Sequence, residues 1–314
     1  MPPTARRIEI FAPFGEAFEI TKKILFQPFD LGKWFVIGFA AWLATFFGGG
    51  GSWSYRHPFD KGRWNFHWHE YSNAQWNVHG HPLWLFPVLA IGGIFFLAFV
   101  VLFIWLNSRG RFMFTDCIVR NRGAIVAPWR EYRTEGNRFF VFQLLFTLCA
   151  MFLFGCLALG FAIFPHSFAV VTLPLGIFFV IAAVIVMIVL GGVIHFMVPV
   201  MYRRRCTATE AFGAVWSLVL ENLGVFILFF LFLLVLYIAA AMIGCLAGCL
   251  TCCIAALPYI GTVILLPVVM TLFTFSLTFL RQFGDSYDAW AVVRPIEPPP
   301  PQIPPMQEPL PPPA

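Results

Sequence analysis

Charge is what this sequence has least of. Asp, Glu, Lys and Arg make up 11% of 314 residues, against 60% hydrophobic and 18% aromatic, with a mean hydropathy of +0.82. Soluble domains hold about 25% charged residues, so the composition excludes an ordinary water-soluble domain and points to a membrane protein. Catalytic signatures are missing as well: no P-loop, dinucleotide fingerprint, nucleophile elbow or HExxH is present. The run Gly48 to Gly51 lacks the Lys and the following helix that phosphate binding needs. No enzymatic activity and no cofactor are therefore expected. A short cationic n-region is also missing, because four acidic groups precede the first apolar run, so no cleaved leader is expected.

What is there is long apolar runs. A hydrocarbon layer about 30 Å thick takes about 20 residues of helix, and six stretches fit that scale: Leu31 to Gly51, Leu83 to Leu106, Phe139 to Phe164, Phe168 to Met201, Leu223 to Ala247 and Pro258 to Leu280. The first has a short uncharged core, Trp34 to Phe47, and the fourth exceeds one crossing. As delimited, none of the last five contains Asp, Glu, Lys or Arg, and neither does the core of the first. Ion-coupled transporters usually keep such groups inside. His195 is read as a histidine hydrogen-bonded between helices, and Thr271, Thr274, Ser276 and Thr278 as polar groups satisfied within the sixth run.

The cations sort between the loops. With a cytoplasmic amino terminus, 17 of the 20 Lys and Arg fall on the inner side and only Arg56, Lys61 and Arg63 on the outer. Positively charged loops stay inside during insertion, so both termini are expected in the cytoplasm of a bacterial inner-membrane protein. The net charge of +5 is thereby a topology signal and not a nucleic-acid one. Seven of the inner cations lie in RGRFMFTDCIVRNRGAIVAPWREYRTEGNR, residues 109–138, within a basic elbow placed at 107–138.

Each odd-numbered run comes after a stretch too short to cross. PFGEAFEITKKILFQPF puts Phe14, Ala17, Phe18, Thr21 and Leu25 on one helical stripe, Thr207 and Glu210 form a capping box ahead of Ala211, Val215 and Val219, and Pro128 and Trp129 sit inside the elbow. The pattern predicts an all-α integral membrane fold of six helices, in three units of interfacial amphipathic helix plus helical hairpin. Lys22, Lys23, Trp129, Arg130, Arg133, Arg138, Arg203, Arg204 and Arg205 are the candidate headgroup contacts, with membrane lipids as the expected partner.

With those residues in view, RGRFMFTDCIVRNRGAIVAPWREYRTEGNRFFVF and MVPVMYRRRCTATEAFGAVWSLVLENLGVF resemble uncharacterised bacterial six-helix inner-membrane families, distantly similar to the membrane domain of glycerophosphodiester phosphodiesterases. The resemblance runs from Ile8 to Trp290. It implies the fold and no catalytic residue.

Three further features each have two readings. The outer loop over 48–82 holds His67, His69, His79 and His81, imidazoles suited to a first-row metal, or else forms a structural lid. Cys245, Cys249, Cys252 and Cys253 share a helix face with Gly244 and Gly248, which favours close packing over disulfide or metal chemistry; the other cysteines read as small apolar fillers. The tail over 295–314, with 11 prolines, is an extended spacer beyond a membrane domain at 1–294, or a docking segment for a protein partner. Three functions are compatible with these features: a non-enzymatic scaffold binding anionic lipid, a transporter or lipid-handling channel using interrupted spans near Gly191, Gly192, Pro199 and Pro267, or a metal sensor.

Overall fold

The computed structural model describes residues 8–45, 85–163, 169–251 and 257–293, and every regular element among them is helical. In chain order these are α1 (Phe11–Phe26), α2 (Leu31–Thr45), α3 (Leu85–Val119), α4 (Val126–Glu131), α5 (Arg133–Ile163), α6 (Ala169–Arg204), α7 (Ala208–Glu221), α8 (Leu223–Leu250), α9 (Pro258–Ile264) and α10 (Leu266–Arg281), followed by one 3-10 turn, Ala289–Val292. Four of them, α3, α5, α6 and α8, are long and apolar enough to cross a membrane; α2 and α10 are apolar but shorter.

Large side chains stand exposed along the upper parts of the long helices, among them Phe95, Phe96, Met151, Phe152, Phe178, Ile188 and Leu250. In water such a surface drives association; in hydrocarbon it is the solvated face, since lipid tails are as apolar as the side chains. Burial concentrates instead near the other end. There Phe229 stacks on Phe279 with centroids 4.2 Å apart and on Phe275 at 4.9 Å, and Phe196 and Phe226 close the cluster.

The first and last predicted crossings differ from the long four. Helix α2 is described over 15 residues, to Thr45, and packs along α3. Two of its carbonyls accept from Asn107, whose Nδ2 lies 2.9 Å from the Leu43 oxygen and 2.8 Å from that of Ala44. At the other end of α2, Lys33 donates to the Ile24 carbonyl of α1 (3.1 Å) and to Asn121 Oδ1 (2.7 Å). The sixth run is broken at Leu265 into α9 and α10. Pro267 has no N–H for the residue 263 carbonyl and crowds it. The Val263 oxygen instead accepts from the Trp34 indole, 3.0 Å away. Helix α6 runs unbroken through Gly191, Gly192 and Pro199, so of the interruptions expected from sequence the one beside Pro267 breaks a helix.

A shorter helix precedes each of α2, α5 and α8, in the threefold layout read from the sequence. Burial is one-sided in α1, where Ala17, Thr21, Ile24 and Leu25 face inward, while Phe18 is exposed and lines a groove with Phe14 and Thr21 of the same stripe. Thr278 Oγ1 reaches the Pro13 carbonyl at 3.0 Å and Arg281 pairs with Glu16, which ties α1 along α10. The capping box of α7 is formed: Glu210 N–H meets Thr207 Oγ1 at 3.4 Å and Thr207 N–H meets Glu210 Oε2 at 3.1 Å. Thr207→Ala is expected to cost about 1 kcal/mol, read as a lowered melting temperature in detergent, and Thr207→Ser is expected to restore it.

The cysteines divide by environment. Gly244 and Gly248 are buried while Cys245 and Cys249 are free and exposed, so the packed face of α8 belongs to the glycines. Cys117 is a buried filler, whereas Cys149 and Cys156 are exposed on α5. Cys252 and Cys253 lie outside the described residues.

Candidate functional site at the charged end

Helix α3 does not stop at Leu106; it continues to Val119 and takes residues 107–119 of the basic stretch into the bundle. Asn107, Ser108, Arg109, Arg111, Thr115 and Asp116 are all buried on it. Charge therefore enters a helix that the sequence pattern left uncharged. The elbow proper runs from Arg120 through α4 to the start of α5.

Asp116 organises that elbow. Its carboxylate is wholly buried, with Arg120 Nε 3.1 Å from Oδ1, Arg122 Nε and Nη2 each 2.9 Å from Oδ2, and the Tyr202 hydroxyl donating to Oδ1 at 3.0 Å. Glu131, ending α4, joins Arg120 at 2.8 Å to Arg205 at 2.7 Å, with Arg122 at 3.7 Å. Arg205 also reaches Glu135 at 3.3 Å, and its guanidinium lies 3.9 Å from the centre of the Tyr132 ring, itself stacked on Tyr202 at 4.7 Å. The ends of α3, α4, α5 and α6 are thus locked by one lattice of three acids and three arginines.

The electrostatics arise from the packing. Burial pulls the Arg120 guanidinium down, but Asp116 beside it, together with Tyr202 and Tyr132, more than reverses this and holds it above its ordinary value. Arg205 behaves alike: burial lowers it, and Tyr132 with Glu135 and Glu131 raises it further. Burial pushes the Tyr132 phenol up. Arg205 also adopts φ +53°, a left-handed conformation that costs a side-chain-bearing residue about 1 kcal/mol or more. The ion pairs hold it there.

Trp129, one of the candidate headgroup contacts, is half-buried and packs against the protein. Its ring is perpendicular to Trp105 at 5.6 Å, and the Arg109 guanidinium lies 4.5 Å from the Trp105 ring and 4.7 Å from that of Trp129. Asn137 Oδ1 accepts from Arg109 Nη2 (2.9 Å) and from the Trp105 indole (3.1 Å). Arg203 and Arg204 also have protein partners: their Nε atoms donate to the Asp285 and Ser286 carbonyls at 3.3 and 3.1 Å, and Arg204 covers Tyr287 at 4.6 Å. They fasten the segment after α10 to the end of α6.

Of the remaining candidates, Arg130, Arg133 and Arg138 are exposed and make no ion pair among the described residues. Lys22 makes an exposed pair with Glu19 at 3.9 Å, and Lys23 is exposed. The structure thus splits nine candidate residues into those spent on the fold and an exposed group, Arg130 on α4, Arg133 and Arg138 on α5, and Lys22 and Lys23 on α1. His67, His69, His79 and His81 lie outside the described residues. The sequence reading missed Asp116 as the hub and Arg111 as a buried cation. The signal available was polar spacing: Asp116 and Arg120 stand four apart, the distance of one helical turn.

No curated protein and no solved structure matches the chain. Nothing links it to the membrane domain of the glycerophosphodiester phosphodiesterases that it resembles in pattern. One family model covers residues 9–290, which spans α1 into the 3-10 turn and includes every residue of the charged lattice. The chain belongs to that family, a family of unknown function (DUF7544).

Proposed function

We propose that the protein is a non-enzymatic scaffold of the bacterial inner membrane that gathers anionic lipid at its charged end, with that end in the cytoplasm. The observation behind this reading is the division of the cations. Arg109, Arg120, Arg122 and Arg205 are neutralised or stacked inside the protein, while Arg130 on α4 and Arg133 and Arg138 in the first turns of α5 remain exposed, with no ion pair among the described residues. A cation near an anionic bilayer surface contributes about 1 kcal/mol, so the three together favour an anionic over a zwitterionic neighbour by about 3 kcal/mol. The 17 to 3 partition of Lys and Arg supports the cytoplasmic placement.

The test is a reconstitution of the full chain in bilayers mixing phosphatidylglycerol and phosphatidylcholine, with fluorescent lipid of each kind as energy-transfer acceptor from the protein's tryptophans. Wild type is expected to enrich the anionic probe in its first shell. Substituting Arg130, Arg133 and Arg138 together by Gln is expected to remove most of that enrichment, and about 0.5 M salt to weaken it in wild type by screening. Equal enrichment in the triple variant would end the lipid reading.

A second reading, a lipid-handling channel or transporter, draws support from the break at Leu265 and from the arginine that α3 buries inside the bundle. Broken helices and buried ionisable groups are the devices by which such proteins build a pathway.

A further inference from the structure

The end of α2 meets α3, α6, α8 and α10 around a cavity of about 40 Å³. Thr45, Arg111, His195, Tyr237, Leu272 and Phe273 line it. One of these is a permanent cation. Arg111 is 9% exposed, and no acidic group or hydrogen-bond acceptor is paired with its guanidinium among the described residues. Phe139 offers it a ring, with the centre 5.8 Å away. Asp116, five residues along the same helix, is already engaged by Arg120, Arg122 and Tyr202, and Glu135 faces Arg205.

An arginine stays charged in any protein environment, and an uncompensated buried charge costs several kcal/mol. Arg111 lies eight residues from the charged end of α3, about 12 Å at helical rise. The lining supplies donors and no carboxylate. Thr45 spends its hydroxyl on the Ala41 carbonyl at 2.8 Å, and His195 Nε2 is 3.0 Å from Ser276 Oγ, which leaves the Tyr237 hydroxyl and the other ring nitrogen of His195 without a partner among the described residues. The volume is a few times the 10 to 15 Å³ that one water requires. It suits a group of a few heavy atoms.

We propose that this cavity is a binding site for a small monovalent anion, a halide or a carboxylate, held by Arg111 and Tyr237. The ligand's chemistry is a single negative charge on few atoms, and two sources supply it: a free ion, or the head of a single-chain amphiphile. The second has a seat beside the cavity, because Leu272 is also a wall of an apolar groove of about 280 Å³ between α1, α8 and α10, where Phe14, Phe18, Leu236 and Ile243 line it.

The experiment uses the full chain in nanodiscs of zwitterionic lipid at constant ionic strength. Gluconate, too large for the cavity, is the background anion, and chloride, acetate or laurate replaces it stepwise while the melting temperature is followed. Wild type is expected to gain stability saturably with chloride or acetate. A tenfold or greater preference for laurate over acetate identifies the amphiphile as the source; equal affinity identifies the free ion. Arg111→Met removes the charge and keeps an unbranched apolar chain, an exchange that buried sites tolerate well, and is expected to abolish the anion dependence. Tyr237→Phe keeps the ring and is expected to weaken binding about tenfold through the lost donor. Wild type with no saturable response, or Arg111→Met with the response of wild type, overturns the proposal. Should Arg111→Met fail to fold, an anion response unchanged by Tyr237→Phe overturns it equally.

Discussion

Asp116→Asn is expected to lower the stability of the purified protein by about 3 to 5 kcal/mol, the penalty for breaking a buried charge pair by removing one partner. The wild-type carboxylate is wholly buried and accepts from Arg120, Arg122 and Tyr202. The amide has no charge, and one of its two polar ends is a donor facing donors. Two guanidiniums then share Glu131 with Arg205, and their mutual repulsion is no longer offset. Removing one donor is milder: Tyr202→Phe gives up a single hydrogen bond to a charged group, about 1.5 to 3 kcal/mol. The exposed Lys22–Glu19 pair is the control, since such pairs contribute about 0 to 1 kcal/mol, and Lys22→Gln is expected to melt with wild type. Thermal unfolding in detergent orders the three variants. An Asp116→Asn protein no less stable than Lys22→Gln would show that the lattice does not hold the charged end together.

The same residue shows where the sequence could be read and where it could not. Apolar length announces the four long helices, because in hydrocarbon a backbone polar group is satisfied only within its own helix, and α3, α5, α6 and α8 obey that rule. Capping chemistry is equally local, so the start of α7 at Thr207 was legible from four letters. The end of α3 was not. Hydropathy falls at Asn107, yet the helix continues because Asn107, Arg109 and Asp116 find partners on α2, α5 and α6, far away in sequence. Trp129 was legible only in part for a related reason: an aromatic in a basic segment resembles an interface anchor, and only the fold shows Trp105 and Arg109 against it. That Asn107 binds the Leu43 and Ala44 carbonyls of α2 is likewise a fact that no periodicity contains.

Gly110→Ala is expected to be far more damaging than Gly191→Ala, although both add one methyl group to a helix. A Cβ on Gly110 would lie 2.5 Å from Leu43 Cβ, 2.7 Å from the Leu43 carbonyl carbon and 2.8 Å from the Ala44 nitrogen, so the backbone of α2 must move. That backbone is also what Asn107 binds, through the Leu43 and Ala44 oxygens. Overpacking costs about 1 to 3 kcal/mol and each lost hydrogen bond about 1 kcal/mol, so a loss of at least about 3 kcal/mol is expected. Nothing lies within 4 Å of a Cβ on Gly191, and there the better helix propensity of Ala is expected to add up to about 1 kcal/mol. Melting temperatures of the two variants against wild type decide the matter, and equal values would refute the close approach of α2 to α3. A displaced α2 would carry Ala44 and Thr45 away from Arg111, since both line the central cavity. Gly110→Ala is therefore also expected to lose the anion response, while Gly191→Ala keeps it.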